Sequence, residues 1–218
     1  MRILVDGLDL SGKTTLVEAL AGEFGTRGIE AACHRGMLAE HHPLEPLLRK
    51  LRRVRQPDSG FITAAFLAGY AVDAALVKSD PRDAIIIQDG YVDRTVAFGM
   101  AGGPYLAAAL ALRWSRLFAS FDVAVYLHAP VEVRRRRLGT RLKPDAVDIR
   151  GVEDRRFAEA FTATLVHGMG RRHDRLLVFD SSLHTPGEMA AQVIDLAMGT
   201  DRPGELLPRP ACDQHSAA

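Results

Sequence analysis

Cysteine is nearly absent from the chain. Only Cys33 and Cys212 occur in 218 residues, far apart and outside any CxxC spacing. That excludes a disulfide scaffold and argues for a reducing compartment. Neither sign of charge is in excess: 28 basic residues stand against 27 acidic ones, a net of +1. Such a balance argues against a chain that coats nucleic acid. Lysine is scarce, limited to Lys13, Lys50, Lys78 and Lys143, and Arg supplies the remaining positive charge. No stretch is read as approaching the ~18 apolar residues of a membrane span. The opening Met1-Arg2-Ile3-Leu4-Val5 leaves no room for a signal peptide. The expectation is a cytoplasmic protein with neither membrane nor nucleic acid as a partner. His34, His41 and His42, with Glu40 and Glu45, match no metal-ligand spacing and read as loop residues.

What is present is the composition of one globular domain, 47% hydrophobic and 25% charged, long enough to bury a core. No repeat or linker divides residues 1–199. Residues 200–218 are polar with little periodicity and are expected to form a mobile tail. Apolar runs at 3–5, 29–33, 84–87, 123–127 and 176–179 read as strands. Helical patterns cover 11–24, 44–55, 61–78, 105–118, 131–138, 154–166 and 186–198, with Pro81 stopping the third. Strands apolar on both faces and separated by helices predict an α/β domain. Its five-stranded parallel sheet would be flanked by helices in three layers. Ligands then bind at the carboxyl ends of the strands.

The strongest signal is Gly7-Leu8-Asp9-Leu10-Ser11-Gly12-Lys13-Thr14, which fits G-x-x-x-x-G-K-[ST] without a mismatch. It lies where the physics needs it, between an apolar strand and a helix. Glycines let the main chain curl so that Gly7, Leu10, Ser11, Gly12, Lys13, Thr14 and Thr15 can wrap the phosphates of a nucleoside triphosphate, ATP or GTP. Lys13 adds a point charge that follows the γ-phosphoryl group, and the Thr14 hydroxyl can ligate Mg²⁺. Asp89 ends an apolar strand and is a second candidate near Mg²⁺ or its waters. A guanine-reading Asn-Lys-x-Asp segment is not seen, since Val77-Lys78-Ser79-Asp80 lacks the Asn and precedes a strand.

The loop with its following Thr15 closely resembles that of thymidylate kinases, where an acidic residue stands at the position of Asp9. Ile87-Gln88-Asp89-Gly90-Tyr91 is similar to that family's strand end and Asp-Arg-Tyr motif, with Gly90 in the place of its Arg. Val125-Tyr126-Leu127-His128-Ala129-Pro130 followed by Arg134 to Arg137 is similar to its fourth strand and lid entry. Phe179-Asp180-Ser181-Ser182 is similar to its fifth strand and the loop behind adenine. The resemblance covers residues 2–198. It implies a P-loop kinase fold, ATP and Mg²⁺ as cofactors, a small-molecule acceptor and a homodimer built through helices.

Roles follow for individual residues. Asp9, inside the loop, can accept a hydrogen bond from the acceptor. Arg94 can reach back as a guanidinium fork, and Arg35 can supply further charge. Arg134, Arg137 and Arg141 share one helical face at 100° per residue and are the catalytic candidates of a lid spanning about 134–152. Phe66, Tyr70 and Tyr91 are candidates for contact with the acceptor, by stacking or by packing. The resemblance implies a nucleoside monophosphate as acceptor. A nucleoside or another small hydroxyl compound is the alternative, and a nucleotide-binding regulatory module is a third reading.

Overall fold

The computed structural model describes residues 1–53, 59–79 and 84–199. Five strands, β1 (Arg2–Asp6), β2 (Ala31–His34), β3 (Ile85–Asp89), β4 (Val123–His128) and β5 (Leu176–Asp180), form an all-parallel sheet in the order β2-β3-β1-β4-β5. Nine helices accompany them among the described residues: α1 (Lys13–Thr26), α2 (Glu45–Arg53), α3 (Gly60–Ser79), α4 (Val92–Gly102), α5 (Tyr105–Arg113), α6 (Val131–Thr140), α7 (Ala146–Glu153), α8 (Arg155–Arg172) and α9 (Pro186–Ala197). The central strands are apolar on both faces because helices cover both. Ile3 and Val5 point into one core with Leu16, Leu20, Phe24, Val193 and Ile194. Leu4, one residue out of phase, points into the other with Tyr91, Phe121, Phe157 and Phe161. Each such side chain taken fully from water stabilises the fold by roughly 1.5–3 kcal/mol.

From β1 the sheet grows to β3 on one side and to β4 on the other. The crevice at that switch lies beyond the ends of β1 and β3, where Asp6 and Asp89 stand.

The α/β class and the parallel five-stranded sheet match the sequence expectation, while several boundaries move. The first helix begins at Lys13 rather than at residue 11, because Gly12 sits at φ 100°, outside helical space. The second strand begins at Ala31 rather than at residue 29. Gly28 takes φ 71° and Ile29 donates its N–H to the Phe24 carbonyl at 3.0 Å, so these two residues close α1. The helix read over 105–118 ends at Arg113 and a 3-10 turn, Ser115–Leu117, follows. Helices α4 and α7 were not expected. Of the residues read as loop, His34 ends β2 and Glu45 opens α2, while His42 lies in a loop but is buried, its Nε2 3.0 Å from the Gly69 carbonyl.

The absence of a span-length apolar stretch is also corrected. Gly60–Lys78 covers 19 residues of mean hydropathy 1.7, long and apolar enough to cross a membrane. Here Leu67, Tyr70 and Ala74 of that helix enter the core and Asp73 is fully buried. The Pro81 stop, the residues of the second helix beyond Arg53 and the tail expected at 200–218 lie outside the described residues.

Candidate functional site

Residues 7–14 carry the chain from the end of β1 into α1. A Cβ at Gly7 would collide with the Leu127 carbonyl, so only glycine fits against β4 there. Leu10 holds φ 66°, a left-handed conformation costing a non-glycine residue roughly 1–2 kcal/mol. The hydrogen-bond ladder of α1 opens with Leu16 N–H to Gly12 O at 3.1 Å. The amides of Lys13, Thr14 and Thr15 lie ahead of that bond, and no side chain caps them. Asp145, Asp154 and Thr185 cap α7, α8 and α9, while α4, α5 and α6 also begin without a side-chain cap. An uncapped N-terminus with its positive helix end is an anion cradle. The buried Ser11 hydroxyl beside it has no hydrogen-bond partner.

Charges converge on this loop. Lys13 Nζ donates to the carbonyls of Gly7 and Leu8 at 3.0 and 2.9 Å and lies 3.5 Å from an Asp9 oxygen. Burial lowers the Lys13 pKa, against the pull of Asp9, Asp6 and Asp89. Arg94, from the first turns of α4, donates to Gly7 O at 2.8 Å and forms an ion pair with Asp9. Burial alone would raise the Asp9 pKa, but Arg94 and Lys13 outweigh it and hold the carboxyl at about 2. Asp6 behaves oppositely. It is fully buried, one carboxylate oxygen has no hydrogen-bond partner, and Arg94 stands 3.9 Å from the other. Burial therefore pushes it up to about 6 despite Arg94 and Lys13.

Thr14 and Asp89 meet: the Thr14 hydroxyl donates to an Asp89 oxygen at 3.3 Å. No group of three or more His, Cys, Asp or Glu side chains suited to a metal is found among the described residues. Magnesium needs no such cage. It keeps several waters and takes one or two protein oxygens beside substrate phosphates. A hydroxyl and a carboxylate next to an anion cradle fit that donor set.

Two cavities meet at the loop. One, of about 350 Å³, is lined by Leu10, Gly12, Thr14, Thr15, Arg137, Ser181 and His184. The other, of about 660 Å³, is lined by Phe66, Tyr70, Tyr91, Arg94, Phe98 and Phe161. Asp9, Lys13, Arg35, Asp89 and Arg141 line both, so the charged cluster stands at their junction.

The three arginines do not share one role. Arg137 donates to Leu10 O at 2.8 Å and to Ser181 Oγ at 3.1 Å, spanning the smaller cavity. Arg141, past the end of α6, is exposed and paired with Asp148 at 3.1 Å. Arg134 turns away into the protein. It is 5% exposed, lines neither cavity and donates to the carbonyls of Ala129 and Gly151. Its position one turn earlier sets it against α7, where the Gly151 carbonyl accepts from it.

On the larger cavity, Phe66 is half-buried and Tyr70 is buried in edge contact with Tyr91, their centroids 4.7 Å apart. The Tyr91 hydroxyl is committed to Asp73 at 2.7 Å. Asp73 also accepts the amides of Leu38 and Ala39, fixing the turn that follows the exposed Arg35.

Sequence reasoning missed Phe98, Phe161, Thr63, Thr95 and Asp145 on the larger cavity and His184 on the smaller. Phe98 and Arg94 are four residues apart on α4, so helical spacing would have found that pair. Phe161 and Asp145 come from distant elements with no local signal. Comparison with protein-family models gives no match, and neither does comparison with curated proteins.

Proposed function

We propose that the chain is a P-loop phosphotransferase of thymidylate kinase-like type, moving the γ-phosphoryl group of ATP to a small acceptor. The observation that carries this reading is the junction itself. A glycine-rich loop with uncapped amides and a half-buried lysine stands where two cavities meet, so a donor and an acceptor can lie on either side of Lys13. Phosphoryl transfer asks the protein mainly for positioning and charge neutralisation. The amides of residues 12–15 hold the β- and γ-phosphates, Lys13 follows the migrating group, and Arg137 closes the donor side. Thr14 and Asp89 hold Mg²⁺, which when bound offsets the charge between the β- and γ-oxygens. Asp9 and Arg94 position the acceptor, with Phe66, Tyr70 and Tyr91 shaping its cavity and Arg35 lining both cavities.

The resemblance to thymidylate kinases favours a nucleoside monophosphate as acceptor. The Asp9–Arg94 ion pair favours an uncharged hydroxyl instead, because the guanidinium nearest the junction is already committed. The test is ADP release with MgATP across monophosphates and hydroxyl compounds, beside calorimetry of MgATP alone. Absence of MgATP binding heat overturns the reading.

A homodimer is proposed on the face shared by α3 and α5. Phe61, Tyr105, Leu106, Leu110, Trp114 and Leu117 are all exposed there, and such an apolar patch favours burial against a partner. Sedimentation of the full chain at micromolar concentration should give twice the mass of 23.8 kDa. A monomer under those conditions refutes it.

A further inference from the structure

We propose that the larger cavity takes an uncharged alcohol borne on a ring, and discriminates against a phosphomonoester at the same position. The inference rests on the phosphotransferase reading and adds the acceptor's chemical class. It follows from the charges that line the cavity. A phosphomonoester brings a charge of about −1.5 to −2. It would enter a space already lined by the carboxylates of Asp9, Asp89 and Asp145. Against these stand Lys13, Arg35, Arg94 and Arg141. Lys13 is turned onto the loop carbonyls where the donor's phosphates belong. Arg94 is held by Asp9 and by the Gly7 carbonyl. Arg141 is paired with Asp148. Arg35 is the cation of this set with no hydrogen bond or ion pair among the described residues; it lines both cavities but is exposed to solvent, where water screens its charge. A second anion therefore meets no uncommitted buried cation beside the transferring group.

The position beside Lys13 is suited instead to a hydroxyl. Arg94 fixes one Asp9 oxygen, while the other stands 3.5 Å from Lys13, facing the junction. A carboxylate so placed accepts an O–H hydrogen bond and aims the hydroxyl oxygen at the γ-phosphorus. The rest of the wall is apolar or aromatic, with Ile62, Phe66, Phe98, Val147 and Phe161, and the hydroxyls of Thr63 and Thr95 punctuate it. Such a wall fits a planar or apolar ring with a few polar substituents.

In the step, the acceptor oxygen bonds to the γ-phosphorus and the bond from that phosphorus to the β,γ-bridging oxygen breaks. The electron pair leaves on ADP. The hydroxyl proton passes to solvent, because Asp9 is too weak a base to keep it.

The test uses the full chain with MgATP. The acceptors are the common ribo- and deoxyribonucleosides and hydroxymethyl-substituted aromatic rings, each beside its own phosphate monoester, with ADP release and phosphorus NMR as readouts. At least one alcohol is expected to exceed its own monoester in kcat/KM by about 100-fold or more. Asp9→Asn frees Arg94 and removes one negative charge, so it should lower turnover of the alcohol. The same change should raise use of the monoester relative to the alcohol by about 10-fold. A preference for monoesters in the wild type overturns the inference, as does failure of every alcohol while MgATP still binds by calorimetry. Loss of MgATP binding itself overturns the phosphotransferase reading beneath it, so the two failures are told apart. If Asp9→Asn does not fold, the wild-type comparison still decides.

Discussion

The two sides of the junction are built in different ways. On the proposed donor side one stretch of chain, residues 7–15, supplies the curl, the free amides, the lysine and the threonine hydroxyl, while Arg137 from α6 and Ser181 and His184 from beyond β5 complete the cavity. The proposed acceptor side is gathered from distant places, with Arg35 after β2, Phe66 on α3, Arg94 and Phe98 on α4, Asp145 before α7 and Phe161 on α8. A phosphate chain is the same in every nucleotide, so a local main-chain device serves it. An acceptor is particular, and its recognition is spread over side chains that change independently. The donor side therefore declares itself by pattern, while the acceptor side must be read from geometry and charge.

The comparison breaks most sharply at Lys13, which belongs to both cavities. Lys13→Ala should reduce kcat by about 10³-fold, as loss of a preorganised charge at a transferring group does. Its melting temperature should stay close to the parent's. Retention of most activity would remove the junction from the chemistry. Next come the arginines of α6, which separate chemistry from stability within one turn of helix. Arg137→Ala should cost about 10²-fold in kcat with stability nearly unchanged, because it opens the donor side. Arg134→Ala should leave the folded enzyme's kcat intact and lower unfolding free energy by about 2–3 kcal/mol in urea titration. It strands the carbonyls of Ala129 and Gly151. A swapped pattern, with Arg134 costing rate and Arg137 costing stability, would reverse their assignment.

Arg134 also shows where sequence stops being informative. Helical periodicity puts Arg134, Arg137 and Arg141 on one face, but α6 ends at Thr140 and Arg141 is extended beyond it. Periodicity cannot tell which neighbour each will meet, because α7 was not read: it is only eight residues long and interleaves Asp148, Arg150, Gly151 and Glu153 with its apolar residues. Once α7 forms, with Asp145 and Asp148 in a reciprocal cap, Arg134 has Gly151 beside it and turns inward. The strands were legible for the opposite reason. Ile3-Leu4-Val5, Ile85-Ile86-Ile87 and Val123 to Leu127 have no polar face, and only a sheet covered twice can bury that. Tyr91 shows the same limit as Arg134. Its position beside the acceptor cavity followed from the strand end, but the commitment of its hydroxyl to Asp73 depended on a partner eighteen residues away on another helix.

The smallest expected effect sets Asp6 against Asp9, two carboxylates on either side of Gly7 with opposite shifts. Asp9 is held at about 2, so its contribution is present above the ordinary 3.8 and fades as pH falls from there toward 2. Asp6 is raised to about 6, so between 3.8 and 6 the folded chain holds a proton that the unfolded chain releases. Stability from this group therefore falls as pH rises through that window and levels off above 6. Asp6→Asn keeps a side-chain oxygen for the Gly7 amide, which donates to Asp6 at 2.7 Å, and removes the cost of ionising in a buried place. It also gives up the attraction to Arg94, so the gain is smaller than the full shift. The variant should be more stable than the parent by about 1–2 kcal/mol near pH 7.5 and no more stable near pH 4, read from urea titrations at both. A gain of equal size at both pH values would mean that Asp6 does not titrate with the fold, and the two carboxylates would then differ only in their neighbours and not in their charge.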